Sequence, residues 1–290
     1  MGRLLSNFAD CICCGRGNRY QSADTWMNQP LNIFQPRSTA TLEDLLEKSS
    51  RAREAVWQEL GSLEPLVLSH LVSPTLSGGP KWPALRQAFR LVRRPNGNVI
   101  LASDGLSDPF DDITLGDGNV NGFGLEFYIE TPGNEIAETI HDVKKSWQFQ
   151  LLYTVSQLAA GHGGIRAIMD DMKLLSTEAE GVNEAIPEEH RKALVNAAGR
   201  VGALLGLQSG SGAEPGSPQE NGDADDAGTS MPERIPDMPL TEVKLVNIKL
   251  LTLAELKLIT DRGAEGRRRL SELFSGPDKL VSSLHRSSAV

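Results

Sequence analysis

The stretch GFGLEFYI, residues 122–129, decides the fold class, because from Gly124 onward it alternates as a β-strand does. Two apolar runs lie upstream of it, at 88–92 and 99–102. They flank Asn96-Gly97, and this dipeptide between two apolar runs is a strong signal for a β-hairpin. The sequence therefore predicts a hairpin followed by a third strand.

Helical patterns lie on both sides of these strands. Thr41 is a good N-cap for a helix that should end near Gly61. From Asn134 to about Ala160, apolar residues recur every three or four positions and predict one long amphipathic helix. A further helical stretch is predicted from about Pro187 to Leu207.

The last part of the chain returns to mixed structure. Residues 243–248 predict a strand, and Thr252 with Glu255 forms a capping box that begins a helix. The polar residues at the end of the sequence are expected to fray. Together these elements predict an α+β domain over 39–290, with two lobes built from a mixed sheet and helices.

Two segments lack the sequence pattern of a folded core, the first because it has no sustained periodicity and the second because of its composition. Residues 1–38 predict a disordered N-terminal arm. Residues 209–239 are dominated by Gly, Ser, Pro, Asp and Glu, and predict a disordered acidic insertion within the domain.

Composition excludes several functional classes. The net charge of −9 disfavours a nucleic-acid partner, because such binding depends on Lys and Arg at phosphates. No apolar run is long enough to span a membrane, and no secretory signal is present. The predicted location is therefore cytoplasmic, with membrane attachment only through the N-terminal arm.

The N-terminal arm carries a pattern for lipid attachment. Gly2 and Ser6 fit the N-myristoylation pattern, and Cys11, Cys13 and Cys14 are candidates for palmitoylation, the second signal that stable anchoring needs. The alternative is an arm that carries these residues by chance. The cysteines are too closely spaced for a zinc site, and no His lies nearby, so no metal or other cofactor is predicted.

Three blocks together resemble the suppressor of fused domain family over about residues 65–275. The first is GLSD at 105–108, followed by an acidic loop and GFGLEF at 122–127. The second is the amphipathic helix that ends at Gly161-His162, and the third runs from Val243 to Ile259 and ends with DRG at 261–263. The strand before GLSD, residues 98–103, departs from the aromatic and His-rich strand of animal members, so their partner is not carried over.

This resemblance implies a non-enzymatic, regulatory module that holds a partner protein or peptide between two lobes by strand pairing. It implies that Asp108 and Glu126 receive a polar or cationic group of the partner, and that Phe110 and Phe123 line its apolar side. Asp108 can equally cap a turn by accepting backbone N–H groups. An immunity protein that neutralises a toxin is the alternative within the binding class.

An enzyme is the alternative from another class. Carboxylates between Asp104 and Asp117 suit a metal-dependent hydrolase, although the spacing is not that of an EF-hand and a solvated acidic loop is the simpler interpretation. No His has a partner at zinc spacing, and the predicted domain has no Cys nucleophile. Gly122 and Gly124 precede a strand rather than a helix, which excludes a phosphate cradle. The sequence therefore favours a binding protein over an enzyme.

Overall fold

The computed structural model describes residues 40–70, 73–111, 116–208, 230–274 and 276–290. Within these ranges the protein has seven α-helices and nine strands, which confirms the predicted α+β class with a mixed sheet. The helices are α1 Leu42–Leu60, α2 Ile140–Val143, α3 Trp147–His162, α4 Ile165–Met172, α5 Glu188–Leu194, α6 Leu253–Arg262 and α7 Ala264–Leu273. The strands are β1 Ser62–Leu63, β2 Leu68–Ser69, β3 Ala88–Arg93, β4 Asn98–Asp104, β5 Leu125–Pro132, β6 Leu175–Ala179, β7 Val201–Leu205, β8 Arg234–Ile235 and β9 Val243–Leu250.

The strands form one sheet in the order β1-β3-β4-β5-β9-β7-β6, with β2 also paired to β3 and β8 to β9. Only β5 and β9 pair in parallel among the strands described. Helices α2 to α5 cover one face, and α1, α6 and α7 cover the other. Side chains alternate between these two cores: Leu101 packs on the first face, and Ile100 and Ala102 pack on the second. This burial on both faces explains why the central strands are almost continuously apolar.

Most of the predicted elements are confirmed. The Thr41 hydroxyl accepts from the Asp44 N–H at 3.2 Å and begins α1, which ends at Leu60 with Gly61 as its C-cap. The hairpin turns at Gly97, whose φ of 86° is the left-handed conformation that such a turn requires. The capping box of Thr252 and Glu255 begins α6 as predicted.

Two predicted helices are wrong in part. The stretch from 134 to 160 is not one helix, because Thr139 and Ser146 each accept a backbone N–H and begin the separate helices α2 and α3. The stretch from 187 to 207 ends its helix at Leu194 and continues as β7. Its Ala and Leu residues favour a helix locally, but pairing with β6 and β9 inside the sheet overrides that preference.

Strands β7 and β8 lie one after the other along the same edge of β9. Gly206 donates its N–H to the Asn247 carbonyl at 3.1 Å, and Arg234 lies opposite Lys244. Only Leu245 and Val246 of β9 separate these two positions. The two short strands therefore act as one strand, interrupted by the residues between 208 and 230.

The prediction of disorder over 209–239 is wrong for residues 230–239. In that range β8 pairs with β9, and Met231 and Ile235 are buried in the core under α1 and α6. Their apolar contacts offset the ordering of a segment whose polar composition indicated disorder. Residues 209–229 lie outside the described residues.

The predicted N-terminal arm, with Gly2 and the cysteines 11, 13 and 14, also lies outside the described residues. Among the helices that the structure describes, none has the length and apolar character needed to cross a membrane.

Replacing Gly122 with alanine is expected to destabilise the protein by about 1–3 kcal/mol. Gly122 has a φ of 46°, and an added Cβ would lie 2.4 Å from the Leu106 carbonyl oxygen. Gly118→Ala in the same loop is the control, because an added Cβ there meets nothing within 4 Å. Urea unfolding measures both variants, and equal stabilities would contradict this account of the loop.

Candidate functional site

A buried cluster of charges connects α1 to the loop between β4 and β5. The guanidinium of Arg53 donates to Asp104 and to Asp108, each at 2.6 Å, and it lies 4.0 Å from Glu126. These four side chains are at most 3% exposed. Arg86 and Arg90 also donate to Asp104, at 3.1 and 2.9 Å. We call these six residues the Arg53 cluster.

Within this cluster, Glu126 organises the turn that begins with Gly105. Its Oε1 accepts from the backbone N–H groups of Gly105 and Ser107 at 3.0 and 2.9 Å, and from the Ser107 hydroxyl at 2.7 Å. Its Oε2 accepts from the Ser103 hydroxyl. The GLSD and GFGLEF blocks are thus joined by one carboxylate that satisfies the buried donors of the turn.

The pKa shifts of the cluster follow from burial and from its charges. Burial alone would raise the pKa of Asp104, but Arg53, Arg86 and Arg90 lower that pKa to about 2. Burial raises the pKa of Glu126, against the opposing effect of Arg53. The stabilisation from Asp104 is therefore present above its ordinary pKa and is lost as the pH falls towards 2.

The four predicted partner-binding residues all lie at this loop or at the start of β5. Asp108 and Glu126 are buried in the Arg53 cluster, where they receive Arg53 and backbone or hydroxyl donors of the protein itself. Phe110 is 8% exposed and packs edge-to-face on Phe123, with 5.7 Å between the ring centroids. In this structure the most exposed side chain of the cluster is that of Arg86, at 39%, and Arg90 is 12% exposed. Direct contact of the four residues with a partner stays a prediction.

Arg53 was missed by the sequence interpretation, although the sequence carries a signal for it. Arg53 lies four residues after Ser49 and three before Val56, on the buried face of α1. A charged residue on the apolar stripe of an amphipathic helix indicates a buried partner of opposite charge.

The acidic loop gives the hydrolase alternative no support in the part that the structure describes. Asp104 and Asp108 are paired with Arg53, whereas Asp111 accepts from the Leu85 N–H at 3.1 Å. Asp117 accepts from the backbone and side chain of Asn119 at 2.9 and 3.0 Å. Among the described residues, no group of three His, Cys, Asp or Glu side chains is arranged to hold a metal ion.

A second site lies where the central sheet opens. Strands β5 and β9 pair only from Leu125 to Tyr128 and from Lys244 to Asn247. Beyond this point β5 continues beside β4, and β9 continues beside β7. We call the gap between residues 129–132 and residues 248–250 the split.

Ser282 occupies the split and is fully buried. Its N–H donates to the Glu130 carbonyl of β5 at 2.7 Å. Its hydroxyl donates to the Ile248 carbonyl at 3.2 Å and accepts from the Leu250 N–H at 2.9 Å. One serine therefore replaces the strand partner of two β9 backbone groups that would otherwise be buried without a hydrogen bond.

The residues around Ser282 are also held, so the prediction of a frayed end is wrong. We call residues 276–290 the terminal segment. Leu284 donates its N–H to Glu135 at 2.9 Å, and the hydroxyls of Ser288 and Thr252 are 2.9 Å apart. The segment is polar because its side chains hydrogen-bond to the sheet and to α6, which its composition alone does not reveal.

The terminal segment also forms a buried ion pair with α6. The Arg286 guanidinium donates to Glu255 through both terminal nitrogens, one of them at 2.6 Å, and to the Leu250 carbonyl at 2.6 Å. Glu255 is fully buried and also accepts from the Ala289 N–H at 2.8 Å. Burial would raise the pKa of Glu255, but hydrogen bonds and the charge of Arg286 lower that pKa.

Lys249 contacts the same segment from β9. Its ammonium donates to the carbonyls of Asp278 and Val281 and lies 5.0 Å from the centre of the Phe274 ring. Burial, reinforced by the charge of Arg286, lowers the pKa of Lys249 to about 7. A cation at the boundary of the split therefore titrates close to neutral pH.

The free energy of unfolding is expected to rise between pH 7 and about 9.5 because of Lys249. Over this range the unfolded chain holds the Lys249 proton more tightly than the folded protein does, so rising pH favours the folded state. The expected rise is on the order of a few kcal/mol, since one pKa unit corresponds to about 1.4 kcal/mol. Urea unfolding of the wild type and of Lys249→Met at several pH values measures this rise. If the free energy of unfolding changes with pH in the same way for both proteins over this range, the lowered pKa of Lys249 is contradicted.

The fold and the two sites define an α+β protein whose central sheet opens between β5 and β9, where residues 276–290 fill the split. No protein-family model and no curated protein matches the chain.

Proposed function

We propose that this protein is a non-enzymatic binding domain that holds a partner protein or peptide in the split between β5 and β9. The observation that carries the proposal is the terminal segment, which already lies there and is hydrogen-bonded to both strands. Backbone groups that lose their strand partner inside a sheet are a ready site for an added strand.

The chemistry of the split fits binding rather than catalysis. Its polar groups are the Glu130 carbonyl, the Ile248 carbonyl and the Leu250 N–H, which recognise an extended chain. The flanking charges of Glu255 and Lys249 are engaged by Arg286 and by backbone carbonyls of the terminal segment. The resemblance to the suppressor of fused family implies the same mode of binding, and it stays a prediction.

The Arg53 cluster supports this function from a distance. It fixes the loop that precedes β5 and thereby holds β5 in position to pair with β9. We propose that the four predicted partner-binding residues act mainly by holding this loop: Asp108, Phe110, Phe123 and Glu126. Arg86 is then the residue of the Arg53 cluster that faces solvent.

A reversible lock tests the proposed function. The Thr252 and Ser288 hydroxyl oxygens lie 2.9 Å apart, so Thr252→Cys with Ser288→Cys places two sulfurs within reach of a disulfide. The three native cysteines, at 11, 13 and 14, are changed to Ser in this background. When oxidised, the lock ties the terminal segment covalently to the N-cap of α6, and reduction leaves it held only by its native contacts.

The lock variant is immobilised in its oxidised form and, separately, in its reduced form. Each form is incubated with extract of the native host, and the proteins that the two forms retain are compared. We expect a partner to be retained by the reduced form and lost from the oxidised form. The single Ser288→Cys variant is the control, because its retention should not depend on oxidation. If both forms retain the same proteins, the partner binds elsewhere, and if neither retains any, the proposed function is wrong.

A further inference from the structure

We propose that the terminal segment is an internal ligand of the split, and that the partner supplies a strand of the same chemistry. That strand has a small hydroxyl residue at the position of Ser282 and an arginine four residues later, at the position of Arg286. This inference rests on the proposed function and specifies the partner that the split selects.

The hydroxyl requirement follows from the backbone of β9. In a strand, successive residues direct their N–H and C=O groups to opposite edges, so Ile248 and Leu250 face the split while Lys249 faces β7. The Ser282 hydroxyl serves both the Ile248 carbonyl and the Leu250 N–H. Alanine at this position would leave both groups buried without a partner, and a bulky side chain would not fit, because Ser282 is fully buried.

The arginine requirement follows from Glu255. This carboxylate is fixed by the capping box of α6 and is fully buried, so it needs a cation that reaches it. Arg286 reaches it with two nitrogens and adds a hydrogen bond to the Leu250 carbonyl. The two-pronged fork of arginine fits this set of acceptors, whereas lysine offers a single point charge.

The backbone contacts that hold the segment are less selective. Lys249 and Asn247 donate to the carbonyls of Val281 and Leu280, which any residue provides. Glu135 accepts from the Leu284 N–H. The hydroxyls of Ser283 and Ser288 add hydrogen bonds to Glu135 and Thr252. Sequence selectivity therefore depends mainly on positions 282 and 286, whose contacts are the most deeply buried.

The test measures binding of a labelled peptide with the sequence of residues 276–290 by fluorescence anisotropy. The attached segment competes at a high effective concentration, so the protein used is the full-chain Ser282→Ala variant, whose own segment is weakened. Three further peptides carry Ser282→Ala, Arg286→Ala or Ser287→Ala, and the last is the matched control, because Ser287 is exposed. Amide hydrogen exchange at Leu284 and Ala289 reports whether the attached segment has been released.

We expect the unchanged and Ser287→Ala peptides to bind equally, the Ser282→Ala peptide about 10-fold more weakly and the Arg286→Ala peptide at least about 30-fold more weakly. The unchanged peptide should also bind the reduced lock variant more tightly than its oxidised form. Four equal affinities would overturn the sequence requirement. Absence of binding at about 1 mM peptide, with exchange showing the attached segment released, would overturn the internal-ligand idea. A segment that exchange shows still in place in the Ser282→Ala variant would overturn the hydroxyl requirement.

The outcomes of the lock experiment and of the peptide-binding experiment can be told apart. A partner that depends on the lock, combined with a peptide that does not bind, keeps the proposed function and removes the inferred chemistry. Peptide binding with the expected order of affinities, but no lock-dependent partner, keeps the selectivity of the split and removes its proposed role in holding another protein.

Discussion

Replacing Arg53 with methionine is expected to lower the free energy of unfolding by about 3–5 kcal/mol and the melting temperature by on the order of 10 °C. The substitution removes the cation shared by Asp104, Asp108 and Glu126 while keeping most of the apolar volume. Arg86 and Arg90 still neutralise Asp104 but do not replace Arg53 at Glu126. Thermal and urea unfolding measure the effect.

Arg51→Met on the same helix is the control, because the Arg51 side chain is 73% exposed and pairs only with the exposed Glu47 among the contacts described. Its expected effect is below about 0.5 kcal/mol. The deficit of Arg53→Met should also shrink between pH 7 and pH 4, because carboxyl groups that have lost their cation bind protons more readily. Equal stability of the two variants would show that the Arg53 cluster is not formed as described.

Replacing Arg286 with methionine is the second large effect, and it tests the terminal segment directly. Glu255 would keep its backbone donors but lose its only charged partner among the described contacts, at an expected loss of about 3–5 kcal/mol. The amides of Ser282 and Ala289 should then exchange with solvent much faster than in the wild type, because the segment loses its main anchor. Urea unfolding and hydrogen exchange measure the two consequences.

Arg268→Met is a matched control for this second prediction. The Arg268 ion pair with Glu272 has the same nitrogen-to-oxygen distance of 2.6 Å, but the two side chains are 67% and 46% exposed. Its loss should change stability by less than about 1 kcal/mol, because solvent screens the pair. Comparable losses for Arg286→Met and Arg268→Met would contradict the role of burial at Glu255.

Local signals predicted the parts of the fold that local chemistry determines. The N-cap at Thr41, the capping box at Thr252 and the turn at Gly97 need only neighbouring residues, and all three are confirmed. The strand β7 was predicted as helix, because its identity depends on pairing with residues far away in the chain.

The candidate sites were only partly predictable for the same reason. Sequence drew attention to Asp108 and Glu126, but their partner Arg53 lies more than fifty positions upstream, and only its place on the apolar face of α1 indicates it. The terminal segment looks like a polar end because its hydrogen bonds go to β5, β9 and α6 rather than to itself. Polarity alone does not separate a solvated end from one whose polar groups are buried and satisfied.

The interruption between β7 and β8 makes this edge of β9 a suitable insertion site for protein engineering. The chain leaves the sheet beside Asn247 and rejoins it beside Lys244, so its exit and entry points are neighbours. Loop-closure entropy changes slowly with length, so sequence exchanged between positions 208 and 230 should leave the sheet intact. A fluorescent protein grafted there would report on the split from the opposite edge of β9.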